Sequence, residues 1–153
     1  MTIQEPVKLR TIRCGDVFTP DMNNGKNIFV FGSNLSGRHG AGAAKEAKEH
    51  WNADYGVGIG IQGQAYAIPT KDHHLSVLPI TTIKYHVDDF IDYAKQHSDL
   101  TFLVTAVGTG LAAYPVERIA PLFAKCPGNC VLPSLYLNVL YPGYLANGTN
   151  TKK

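Results

Sequence analysis

Long apolar runs, charge of one sign and cysteine are all scarce in this chain, and each shortage removes a class of function. No stretch approaches the ~18 consecutive apolar residues that a membrane-spanning helix requires. The opening segment MTIQEPVKLR places an acid and a proline where a secretion signal needs an apolar core. A cytoplasmic protein is therefore expected. Lysine and arginine number 14 against 12 aspartates and glutamates, a formal net charge of +2. The pI near 8.4 falls short of the clustered basic stripe and domain pI above ~9 typical of nucleic-acid binders. Direct binding of unmodified nucleic acid is not expected, whereas an anionic small ligand needs only a few local donors. The three cysteines, Cys14, Cys126 and Cys130, are an odd number. Cys126 and Cys130 can close a small disulfide or contribute to a metal site. A zinc site needs about four ligands, however, and no second Cys/His pair has finger-like spacing. Reduced thiols, no metal and no cofactor are the expectation. The sequon Asn147-Gly148-Thr149 carries no meaning without secretion.

What the chain does have is an ordinary globular composition, with 44% hydrophobic and 17% charged residues over 153 positions. That length suits one domain and can bury a sizeable core. The domain is expected over residues 7–141, with flexible tails at 1–6 and 142–153. Three short apolar runs, at 27–31, 65–68 and 101–107, read as strands because they are β-branched or aromatic and are followed by glycine or proline. Their near-continuous hydrophobicity predicts cover on both faces. A weaker alternation at 7–13 predicts an edge strand, and Val131, Leu132 and residues 135–140 predict another. Helices alternate with the strands. Residues 43–51 place Ala43, Ala47 and Trp51 on one face. Residues 80–97 place Ile80, Ile83, Val87, Phe90, Ile91 and Ala94 at the 3.6-residue period. A third helix is expected at 115–125, where Pro115 suits the first turn and Pro121 should kink or end it. The fold class is α/β: a three-layer α/β/α sandwich around a mixed, largely parallel sheet.

Two glycine loops carry the functional signal. The first central strand runs into GSNLSGRHGAG, from Gly32 to Gly42, and then into a helix. Glycine at this density lets backbone amides turn toward a ligand, and a helix N-terminus behind them favours an anion. A later strand runs into VGTGLAAYP, from Val107 to Pro115, again before a helix. Loops at the carboxyl ends of two strands of an open α/β sheet can meet in one crevice and hold a diphosphate between them. The common phosphate motifs do not apply. Arg38 and His39 stand where a P-loop needs Lys and Ser or Thr, and the segment from Gly40 to Lys45 lacks the third glycine of the dinucleotide fingerprint.

These segments, taken in order, resemble the macrodomain, an ADP-ribose-binding module. The stretch VKLRTIRCGDVF, from Val7 to Phe18, is similar to the family's opening strand and its Gly-Asp-Ile/Leu turn. The resemblance implies that Asp16, with Val17 beside it, reads adenine. VFGSN, ending at Asn34, resembles the strand whose asparagine meets the distal ribose. Gly40, Ala41 and Gly42 correspond to the first phosphate loop, with Arg38 and His39 within reach of ligand. Gly108, Thr109, Gly110 and Leu111 correspond to the second, with Tyr114 over a ribose or base. Within the family the chain looks most like the terminal ADP-ribose glycohydrolases and the antitoxins that remove ADP-ribose from DNA, through its His-Gly-Ala-Gly loop and the segment IPTKDH from Ile68. In that branch the lysine matching Lys71 attacks the anomeric carbon, with Asn34 at the same ribose. Such an amine must be deprotonated near neutral pH. Members that cleave protein linkages pair it with a second-loop aspartate, where this chain has Ala112; the DNA-directed members have glycine there. The acid other hydrolases carry just after the first loop is absent near Ala44, and Phe31 replaces a frequent polar residue.

The resemblance thus implies a protein that binds ADP-ribose, an ADP-ribosylated substrate or an NAD-derived nucleotide. It is either an ADP-ribosyl glycohydrolase or a non-catalytic reader or sponge. Each residue also has a plainer role open to it. Asp16 can cap a turn, Asn34 can satisfy local backbone, Tyr114 can pack as core, and Lys71 can be a solvated charge. The group attached to the ribose should depend on the loops at 53–64 and 73–78.

Overall fold

Neighbouring residues along a strand point to opposite faces of a sheet, and here both sets are apolar. The computed structural model describes residues 13–109 and 114–143. Its elements are β1 (Arg13–Cys14), β2 (Asn27–Asn34), α1 (Gly42–His50), β3 (Gly60–Gln62), β4 (Ala65–Lys71), α2 (Ile80–Gln96), β5 (Thr101–Val104), α3 (Val116–Ile119), β6 (Cys130–Leu132) and α4 (Ser134–Leu140). The six strands lie in the order β1-β6-β5-β2-β4-β3. Every neighbouring pair is parallel except β3 with β4.

Ile28, Val30, Tyr66, Ile68, Phe102 and Val104 face one core, built with Ile83, Val87, Phe90 and Ala94 of α2, Ile119 of α3 and Leu137 of α4. Phe29, Phe31, Ala65, Ala67, Leu103 and Val131 face the other, closed by Ala44 and Ala47 of α1 and by Trp51. Trp51 stacks on Phe29 with centroids 5.1 Å apart. This is the expected three-layer α/β/α arrangement with a mixed, mostly parallel sheet.

Helix α2 follows its apolar period closely: Ile83, Val87, Phe90, Ile91 and Ala94 are buried, while Lys84, Asp88, Asp89, Asp92 and Lys95 are exposed. Pro121 acts as expected. The α-helical turn α3 ends at Ile119 and tightens into a 3₁₀ turn at Ala120–Phe123.

Three readings need correction. Residues 135–140 form helix α4 and not a strand. Buried Tyr136 and Leu137 with half-buried Leu140 form a helical stripe, and Pro133 supplies an extended entry into it. Strand β3 had no signal, because Gly60, Ile61 and Gln62 hold only one large apolar residue; it forms as the antiparallel partner of β4. The strand read at 101–107 stops at Val104, where the chain turns and the Thr105 hydroxyl donates to the Val30 carbonyl at 2.8 Å. Most of the expected edge strand at 7–13 lies outside the described residues, and Arg13 pairs with Val131 at the sheet's edge. The expected tails lie outside them too, apart from Pro142 and Gly143. No helix among the described residues is long and apolar enough to cross a membrane.

The chain passes from β2 through α1 to β4 on one side, then returns through α2 to β5 on the other side of β2. Strand order therefore reverses between β2 and β5, and such a reversal leaves a crevice at the carboxyl ends of the strands.

Candidate functional site

A cleft of about 640 Å³ opens at that reversal, within the ~300–1,000 Å³ usual for small-molecule sites. Its floor is Gly32, Ser33 and Asn34 of β2, with Thr70 and Lys71 of β4 beside them. One wall is the first glycine loop, Gly40, Ala41 and Gly42, running into Ala43 and Ala44 of α1. The other is the second loop, from Thr105 through Gly108 to Thr109. Arg38, Tyr55 and Leu75 stand at the rim.

The first loop is shaped by its own polar groups. Asn34 Nδ2 donates to the Arg38 carbonyl, and the Arg38 N–H donates back to Asn34 Oδ1, both at 2.9 Å. The Gly37 N–H closes the turn on the Asn34 carbonyl at 2.9 Å. Asn34 thus lines the cleft, but its amide is committed to the loop. Past this turn, a Cβ added at Gly40 or Gly42 would meet nothing within 4 Å, so the backbone there borders open space. Ala41 caps α1 without a side-chain hydrogen bond. The first-turn amides behind it are left to a ligand or water, on the positive end of the helix dipole. In the second loop Gly108 takes φ +81°, and Thr109 Oγ1 donates to the Ala106 carbonyl at 2.9 Å. Gly110, Leu111 and Ala112 lie outside the described residues.

Lys71 ends β4 directly across from Asn34 and is half-buried. No aspartate or glutamate lines the cleft among the described residues. The following turn is organised by Asp72, whose Oδ1 accepts from the His74 and Ser76 N–H groups at 2.8 and 2.9 Å. Those two hydrogen bonds, Ser76 foremost, hold its carboxyl below the ordinary 3.8.

The site residues expected from the sequence divide accordingly. Asn34, Arg38, Gly40, Ala41, Gly42, Lys71, Gly108 and Thr109 meet in the one cleft. Four others stand outside its lining. His39 is fully buried, with its Nε2 between the Val57 carbonyl at 3.1 Å and Gln62 Oε1 at 3.3 Å. Tyr114 is half-buried against the core, and its hydroxyl donates to the Leu78 carbonyl at 2.7 Å. Asp16 Oδ1 accepts from the Ser134 N–H at 2.8 Å, at the start of α4, and Val17 is 76% exposed. Asp16 follows β1, two strand positions beyond β5, or about 10 Å along the same sheet edge. Thr70, within the segment from Ile68 that carries Lys71, lines the cleft beside it. Sequence reasoning passed over Tyr55, Leu75 and Thr105 as individual contacts, because no recognisable motif contains them.

Cys126 and Cys130 are both free thiols. The hydrogen bond between them, together with burial, pushes the Cys126 thiol well up. Among the described residues no group of three or more His, Cys, Asp or Glu side chains is placed to hold a metal ion.

The chain matches no family model and no curated protein. Its architecture does match solved structures. The macrodomain of Mycobacterium tuberculosis DarG superposes with a TM-score of 0.59 at 17% identity, over 80% of this chain and 96% of that one. A protein of unknown function from Bacteroides thetaiotaomicron superposes with a TM-score of 0.55 at 11% identity, over 80% of this chain and 95% of the other. The fold is that of a macrodomain.

Proposed function

We propose that the cleft binds ADP-ribose or an ADP-ribosyl derivative, with the diphosphate between the two glycine loops. One observation carries this reading. Loops from the adjacent parallel strands β2 and β5 flank a single open cleft, and the uncapped start of α1 forms part of its wall. Backbone amides and a helix N-terminus together suit a diphosphate, which needs several donors and little side-chain bulk. The likeness to the DarG macrodomain supports the same ligand class. In this reading the distal ribose lies toward Asn34 and Lys71, while adenine reaches along the sheet edge toward Asp16. Calorimetry against ADP-ribose, AMP and NAD tests it. ADP-ribose should bind with the greatest affinity, and absence of heat with every nucleotide would remove the reading.

Turnover is a separate question, and here the lining favours a reader or sponge. With no carboxylate on the cleft wall among the described residues, hydrolysis would rest on Lys71 as nucleophile. ADP-ribosylated protein and ADP-ribosylated DNA, each incubated with wild type and with Lys71→Ala, separate the two roles. Release of ADP-ribose by wild type alone establishes an ADP-ribosyl glycohydrolase. Binding without release by either protein establishes the non-catalytic role.

A further inference from the structure

Tyr55 lines the cleft, yet it belongs to neither glycine loop and to no motif. The residue is 63% exposed, so its ring is open to whatever enters the cleft. The segment that carries it is nevertheless held firmly on both sides. The Asp54 N–H donates to Gln62 Oε1 at 2.8 Å, and Gln62 Nε2 donates to the Val57 carbonyl at 3.0 Å. The Gly56 N–H donates to the Gly37 carbonyl at 2.8 Å, which ties the segment to the first glycine loop.

Buried His39 completes this clamp. Its Nε2 faces two acceptors, the Val57 carbonyl and Gln62 Oε1, and therefore carries the proton. Its Nδ1 is buried with no hydrogen-bond partner. The ring bridges the core and the cleft: its centroid lies 5.2 Å from Phe31 and 6.4 Å from Tyr55, edge-on to both. Lys48 Nζ stands 5.5 Å from the Tyr55 centroid, a cation–π contact that further limits the ring. An exposed aromatic held by so many restraints is preorganised, and preorganisation favours binding because little freedom is lost when a ligand arrives.

We propose that Tyr55 is a specificity-determining contact for the part of the ligand beyond the diphosphate, and that His39 is the positioning residue that holds it there through Val57 and Gln62. The inference rests on the ADP-ribose reading above and adds a subsite to it. The Tyr55 segment packs against the carboxyl end of β2, where the Ser33 hydroxyl donates to the Gly58 carbonyl. Gly58 lies against the Asn34 backbone so closely that a Cβ on it would meet the Asn34 carbonyl oxygen, with Lys71 of β4 paired to Asn34 there. That is the side assigned to the distal ribose, opposite the second loop. A rigid amphipathic ring suits the face of a sugar or the group attached to it.

ADP and ADP-ribose share the diphosphate, and ADP lacks the distal ribose but carries more charge on its free terminal phosphate. The change in the ratio of their affinities from wild type to variant therefore reports on this subsite. Calorimetry on the full chain with both nucleotides, alongside thermal unfolding of each variant, provides the test. Wild type should prefer ADP-ribose. Tyr55→Ala should weaken ADP-ribose about tenfold, a loss typical of one aromatic contact, and leave ADP unchanged. Tyr55→Phe should keep the preference. His39→Leu should lower it as Tyr55→Ala does, while His39→Gln, which retains a donor near the Nε2 position, should restore it. Should His39→Leu fail to fold, the exposed Tyr55 variants still decide the subsite and His39→Gln the clamp. An unchanged ratio in Tyr55→Ala, or equal losses for both nucleotides, would overturn the subsite while leaving the diphosphate cradle standing. Failure of wild type to bind either nucleotide would remove the cradle reading, and the subsite with it.

Discussion

Gly37 and Gly58 bring two loops together at backbone distance. A Cβ on Gly37 would fall 2.3 Å from the Gly56 carbonyl carbon and the Val57 nitrogen, and one on Gly58 would fall 2.0 Å from the Asn34 carbonyl oxygen. Gly37 also takes φ +71°, a region costly for residues with a Cβ. Gly25 has a similar φ of +85°, but open space around it. Gly37→Ala should therefore destabilise by about 2–4 kcal/mol, combining backbone strain with overpacking, and Gly25→Ala by only about 1 kcal/mol. Urea denaturation measures both, and equal losses would show that the loop contact is dispensable. Asp72 makes a pH-dependent contribution at the same scale. Its carboxyl is lower in the folded state than the ordinary 3.8, so the turn is stabilised above that value and loses the contribution as pH falls through the folded midpoint. The His74 and Ser76 amide resonances should titrate together with a midpoint below 3.8. A midpoint at or above it would mean that the two backbone hydrogen bonds do not form in solution.

At the scale of elements, helix α4 shows how a distant residue can decide a local conformation. Residues 134–140 form only two turns, too few to be stable alone. The Asp16 carboxylate accepts from the Ser134 N–H across 118 positions of sequence, satisfying a first-turn donor and placing negative charge at the helix N-terminus. Asp16→Ala should cost about 1 kcal/mol, read by thermal unfolding, and Asp16→Asn should cost less because an amide oxygen still accepts. If Asp16 also reads adenine, Asp16→Asn should weaken ADP-ribose and AMP alike while changing stability little. Strands β2 and β4 make a related point. Each runs three residues past its apolar stretch, to Asn34 and Lys71, because parallel pairing with its neighbour sustains the ladder.

For the whole molecule, the topology puts the cleft between the two halves of the sheet, so a ligand held by both loops contacts residues far apart in sequence. Binding to the folded state alone then adds about 2.7 kcal/mol at a hundredfold excess over Kd. A chain of this size should gain roughly 5–10 °C in Tm with saturating ADP-ribose, and less with AMP, which lacks the second phosphate and the distal ribose. Equal shifts with the two nucleotides would argue that the second half of the diphosphate makes no contact.

Much of this was legible in the sequence, because the strongest signals were local. The period of α2, the apolar runs of β2, β4 and β5, the break at Pro121 and the glycine-rich turns each follow from the conformational preferences of neighbouring residues, and alternation with helices implies a largely parallel sheet. Tertiary structure decided what local preference leaves open. It made residues 134–140 helical, paired β3 with β4, turned His39 from a supposed ligand contact into a buried brace, sent Tyr114 to the core, and brought Tyr55 to the cleft. The β3–β4 pairing is local, Gln62 meeting Ala65 across a tight turn, but it needs β4 already fixed in the sheet. The others depend on partners 18 or more positions away or on space left by another element, and such information is not carried by a residue's own neighbourhood.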